Sequence, residues 1–125
     1  MARTKLGLGA RELAIMKVVW GLEEASVREV YETLRKRRPV AYTTVMTMMN
    51  TLEGKGHLKK VLDGRAYRYR AAIPERRVVT AMVREFVERV FDGAAGGLLL
   101  HLAKDATLSK KERDRIRRVI EELED

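Results

Sequence analysis

Apolar residues recur at helical spacing three times in the first 55 residues of the chain. Val45, Met48, Met49 and Leu52 fall at i, i+3, i+4 and i+7, as do Val27, Val30, Tyr31 and Leu34. Leu13, Met16 and Trp20 mark an earlier stripe, widened by Ile15 and Val19. Each stripe predicts an amphipathic helix with one buried side. The first runs from about Ala10 to Trp20, closed by Gly21. The second starts at Ser26, because Ser26-Val27-Arg28-Glu29 has the capping-box pattern in which Ser and Glu each take up a free backbone amide. It ends in Lys36-Arg37-Arg38, where Pro39 stops it. The third begins at Ala41 or Thr43, a choice the sequence leaves open, and stops at the glycines on either side of Lys55. Two short strands follow, His57 to Leu62 and Ala66 to Arg70, and Asp63-Gly64 between them signals a hairpin.

The outward face of the third helix carries Thr43, Thr44, Thr47, Asn50 and Thr51, and no charge. A solvated helix face in a chain this rich in Lys and Arg would carry charges paired four apart. Asn can hydrogen-bond an adenine edge twice, and Thr offers a hydroxyl to a base or phosphate and a methyl to thymine. The plainer alternative is an amphipathic helix with a Thr-rich exterior. The hairpin bears Lys59, Lys60, Arg65, Arg68 and Arg70 interleaved with Tyr67 and Tyr69. If the tyrosines share one strand face, Arg68 and Arg70 lie on the other, as in a wing along a phosphate backbone. Its alternative is a solvated edge kept soluble by cations. The Lys36-Arg37-Arg38 run has a structural reason of its own, since it complements the carbonyl end of its helix. Three helices and then a basic hairpin, in about 70 residues, is the order of a winged helix-turn-helix.

The remainder is helical by pattern. A helix from Pro74 to about Phe91 carries the apolar pairs Val78/Val79, Met82/Val83, Phe86/Val87 and Val90/Phe91. Asp92-Gly93 breaks it, Ala94 to Ala103 is apolar almost all round, and Ser109-Lys110-Lys111-Glu112 opens a last helix with the stripe Ile116, Val119, Ile120 and Leu123. Roughly 50 residues with so much apolar surface bury too little of it alone, so a homodimer is expected. Its interface is expected to use Met82, Phe86, Val90, Leu98, Leu99, Leu102, Ile116 and Ile120. Two-fold symmetry then predicts a palindromic operator read on successive major-groove turns. The fold expected is mainly α: a winged helix-turn-helix over residues 1–72, followed by a helical dimerisation domain over residues 73–125.

Charge divides along the same line. Residues 1–70 hold 15 Lys or Arg against 7 Asp or Glu, whereas residues 71–125 hold 11 of each. The whole excess of +8 thus lies with the helix and hairpin, which points to a polyanion as partner. No stretch has the length and apolarity of a membrane span and the N-terminus has no signal-like segment, so a cytoplasmic protein without membrane insertion is expected. Without cysteine, disulfides and thiolate metal sites are excluded. His57 and His101 are the only histidines, and no nucleophile motif or phosphate loop is present. No catalytic residue, metal or cofactor is expected. Two other readings remain: a winged helix that binds protein, and a regulator that releases DNA on binding a small molecule in the 94–103 segment.

RELAIMKVVW at 11–20, SVREVYETL at 26–34, AYTTVMTMMNTLEGKGHL at 41–58, DGRAYRYRA at 63–71 and MVREFVERVFDGAAGGLLLHL at 82–102 together resemble the penicillinase repressor family, the BlaI/MecI group with its copper-responsive CopY relatives. The resemblance covers nearly the whole chain in order. It implies a homodimeric winged-helix transcriptional repressor in which Thr44, Thr47 and Asn50 face the groove, and Thr43 and Arg65 the backbone. It also implies a membrane sensor protease, zinc-dependent, that relieves repression by cutting an Asn-Phe bond in the apolar helix. The corresponding dipeptide here is His101-Leu102, and the chain ends in Glu121-Glu122-Leu123-Glu124-Asp125 rather than the cysteine-rich tail of the copper branch. Thr51 stands where many relatives have a long basic residue.

Overall fold

Ser26 is the first fixed point of the fold. Its hydroxyl accepts the Glu29 amide at 3.1 Å while the Glu29 carboxylate accepts the Ser26 amide at 3.0 Å. This satisfies two of the free donors at the start of a helix. In the computed structural model, which describes residues 6–105 and 107–123, that helix is α2, Val27–Arg35, preceded by α1, Ala10–Leu22, and followed by α3, Tyr42–Gly54. Glu124 and Asp125, the end of the acidic tail, lie outside the described residues. Ala41 is the N-cap of α3, which resolves the choice between Ala41 and Thr43. Gly21 does not close α1; the helix continues to Leu22 and turns at Glu23, whose φ is +69°.

The hairpin consists of β2, Leu58–Asp63, and β3, Ala66–Ala71. Asp63 and Ala66 pair across it, so the two turn residues are Gly64 and Arg65, one step beyond the expected Asp63-Gly64. Gly64 takes φ +64°, a conformation glycine adopts without steric cost. A further strand, β1, Glu24–Ala25, went unpredicted. It pairs antiparallel with β3 through Glu24↔Arg70 and Ala25↔Tyr69, giving a sheet in the order β1-β3-β2.

The predicted stripes meet in one core. Ile15, Met16 and Val19 of α1, Val30 and Leu34 of α2, and Val45, Met49 and Leu52 of α3 are buried with Leu58, Tyr69 and Val78. Removing a side chain such as Met49 from this cluster costs about 2–5 kcal/mol. Trp20 edges the core and donates its indole N–H to the Ile73 carbonyl at 3.0 Å, fixing the chain as it leaves β3.

The chain then forms α4, Glu75–Phe91, α5, Ala95–Lys104, and α6, Lys110–Leu123. It divides into two compact units within α4, between Val83 and Arg84, later than the boundary expected at residue 72. The reason is that Val78 and Met82 pack on the core of the first unit. Met82, expected at the dimer interface, is half-buried against that core.

In the second unit, Asp92 at φ +51° and Gly93 at φ +84° end α4. A Cβ on Gly97 would lie 3.1 Å from the Phe91 ring, so that glycine lets α5 begin against it. Ser109 and Glu112 exchange amide hydrogen bonds at 3.1 and 3.0 Å and open α6 as the sequence predicts. Neither α5 nor α6 contains a buried residue, and Phe86, Val90, Leu99, Leu100, Ile120 and Leu123 are exposed. Among the described residues, no helix is long and apolar enough to cross a membrane.

Candidate nucleic-acid interface

Burial of Val45, Met49 and Leu52 turns the opposite side of α3 outward. Thr43, Thr47, Asn50 and Thr51 are exposed there, and Thr44 is half-buried. Thr44 lines a cleft of about 240 Å³ together with Arg11, Arg38 and apolar side chains from α1 and α2. Thr51 donates its hydroxyl to the Thr47 carbonyl at 3.0 Å, a bond within the helix that leaves mainly its methyl to a partner. Asn50 is tied to the hairpin: the Tyr69 hydroxyl donates to its Oδ1 at 2.8 Å.

Tyr42 and Met46 stand on the same outward side, each 38% exposed, and sequence reasoning missed both. They sit eight and four residues before Asn50, a spacing that could have revealed them had apolar residues not been assumed to point inward. Tyr42 packs edge-on against Tyr31, and the Arg28 guanidinium lies 5.5 Å from its ring centroid.

Cations flank α3 on two sides. Before it, Lys36, Arg37 and Arg38 are exposed; after it, Lys59, Lys60, Arg65 and Arg70 are exposed on the hairpin. None of these seven makes an ion pair with a described residue. Lys60 lies over the Tyr67 ring at 5.3 Å, with its ammonium in solvent reach.

Arg68 differs from them. Its guanidinium bonds Glu29 at 2.8 Å and Glu24 at 3.0 Å, and also donates to the Glu24 backbone carbonyl. The hydrogen bond to Glu29, outweighing partial desolvation, raises its pKa further above the already basic value. Glu29 is held below the usual carboxylate range, first by the Ser26 amide and then by Arg68. Arg68, expected on the phosphate-facing side of the wing, fastens β3 to β1 and to the start of α2. Lys55 is likewise engaged, bonding Glu12 at 2.9 Å. Burial would raise the Glu12 pKa, but Lys55 and the Gly9 amide overcome it and lower the value.

The model of the penicillinase repressor family matches residues 8–122. This chain belongs to that family. The transcriptional regulator BlaI of Mycobacterium tuberculosis is 34% identical over 119 residues, covering 94% of this chain and 85% of the relative. The penicillinase repressor of Staphylococcus aureus is 24% identical over 123 residues, covering 98% of each. The solution structure of Bacillus licheniformis BlaI, in its monomeric form in complex with the blaP half-operator, is 30% identical with a TM-score of 0.51. That match covers 59% of this chain and 90% of the other. A MarR structure from E. coli matches 96% of this chain at a TM-score of 0.55 and 13% identity, a likeness of fold alone. As a penicillinase repressor family member the chain is a winged-helix transcriptional repressor and not an enzyme. Among the described residues, no group of three or more His, Asp or Glu could hold a metal ion.

Proposed function

We propose that this repressor is a homodimer that binds an inverted-repeat operator in double-stranded DNA, with α3 in the major groove and the β2–β3 wing along the backbone. The observation that carries the proposal is the charge-free outer face of α3 set between two groups of cations without ion-pair partners among the described residues. A DNA duplex presents that pattern in complement, polar base edges in the groove and phosphates along its rims. The half-operator complex of B. licheniformis BlaI supports the same use of the first unit.

Within this reading, Thr44, Thr47 and Asn50 face bases, Thr43, Thr51 and Arg65 lie at the groove edge or backbone, and Arg68 supports the wing from behind. Met46 joins the base-facing group, where its apolar chain suits a thymine methyl. The second unit is the dimerisation domain. Phe86, Val90, Leu98, Leu99, Leu102, Ile116 and Ile120 supply its contacts, and the exposure of four of them beyond a third is the support for that role.

The test pairs sedimentation with binding. The purified protein should sediment as a dimer. It should also bind an inverted repeat from its own upstream DNA at least about 10³-fold more tightly than a scrambled duplex of equal length. A monomer, or equal affinity for the two duplexes at moderate salt, overturns the proposal.

A further inference from the structure

The bond between Tyr69 and Asn50 decides what a base would meet. Tyr69 lies in the middle strand of the sheet, paired with Lys60 on one side and Ala25 on the other, and is only 4% exposed. Its hydroxyl is therefore held in place, and it donates to Asn50 Oδ1 at 2.8 Å. Burial first, and the nearby Glu53 carboxylate second, raise the Tyr69 pKa, so the phenol keeps the proton that this hydrogen bond uses.

A carboxamide reads adenine by accepting from N6 and donating to N7 at once, which needs its oxygen turned to the base. With the oxygen turned to the wing, the group left for the groove is Nδ2 and its two hydrogens. Resting on the operator-binding reading above, we propose that Tyr69 makes Asn50 a donor-only reader that selects an acceptor edge, guanine O6 and N7, and discriminates against adenine. Tyr69 is thus a specificity-positioning residue that itself touches no base.

The experiment measures binding of the full-length protein to a set of operator duplexes in which each half-site position is varied through all four bases. For the wild type, one position should favour guanine over adenine by about tenfold. Asn50→Ala should flatten that position alone. Tyr69→Phe keeps the ring in the core and frees the oxygen, so it should shift the same position toward adenine by about tenfold and change nothing further when added to Asn50→Ala. A wild-type profile sensitive to Asn50→Ala but unchanged by Tyr69→Phe overturns the role of Tyr69 and leaves operator binding standing, as does a position that favours adenine from the outset. Insensitivity to Asn50→Ala at every position also overturns it. Loss of all operator preference in the wild type is the separate failure of the function itself. If Tyr69→Phe does not fold, as a thermal melt would reveal, Asn50→Asp examines the same geometry. The hydroxyl keeps its acceptor while the outward group changes from donor to acceptor, so the position should turn from guanine to adenine or cytosine; continued preference for guanine overturns the inference.

Discussion

Arg65 and Arg68 belong to one hairpin and one residue type, yet their surroundings divide their roles. Arg65 stands at the turn with no ion pair to a described residue, whereas Arg68 is held by Glu24 and Glu29. Arg65→Ala should reduce the slope of log affinity against log salt by about 0.9 for each phosphate that Arg65 neutralises, and leave the melting temperature unchanged. Arg68→Ala should leave that slope alone and lower the melting temperature, because two carboxylates lose their common partner. Salt titrations by anisotropy together with thermal melts separate the two. Acid should act through the same cluster. The Glu29 pKa is depressed in the folded chain, so its contribution to stability is complete above the ordinary glutamate value of about 4.3 and is lost as pH falls through the lower folded value. Melts taken from neutral pH down to about pH 3 should fall at the acid end, and Glu29→Gln should make that fall shallower. The sequence displayed the cations but could not sort them, since the partners of Arg68, Glu24 and Glu29, lie far upstream in the chain, Glu24 by 44 residues.

The helices were legible because their apolar residues recur at helical spacing and two of them begin with a reciprocal cap. Ser26→Ala removes one of the bonds at the start of α2 and should destabilise the protein by about 1 kcal/mol in chemical denaturation. The failures were of a different kind. β1 has two residues, too few to show a period, and exists because β3 has an edge to pair with. Gly21 looked like a helix end, but nothing surrounds its Cβ position and α1 passes through it to the strained backbone of Glu23. The hairpin turn was found from Asp63-Gly64, yet its register follows from the pairing of Asp63 with Ala66, which places Gly64 first in the turn. In α3 the inward residues were fixed by spacing. The outward side is not polar alone: Tyr42 and Met46 are exposed on it, and their apolar character gives no sign of this in the spacing of the buried stripe.

At the scale of the whole molecule, the uneven charge and the uneven burial describe one division. The cationic unit has a closed core, while the neutral unit leaves α5 and α6 without a buried residue. Phe86→Asp should yield a monomer by sedimentation, with an intact first unit and operator affinity reduced by at least about tenfold through loss of the second half-site. The compact units divide within α4 rather than at its start, because Val78 lies in the core of the first unit and Met82 packs against it, and helical periodicity along α4 does not reveal which unit each turn packs on.

β3 is bonded along both edges, to β2 over its length and to β1 near its end. A strand stitched to β2 along its length and to β1 at Tyr69 and Arg70 has little freedom left to surrender. If the ribbon meets a duplex as proposed above, calorimetry over a range of temperatures should give a heat-capacity change accounted for by the surface covered, with no added increment from folding of the ribbon.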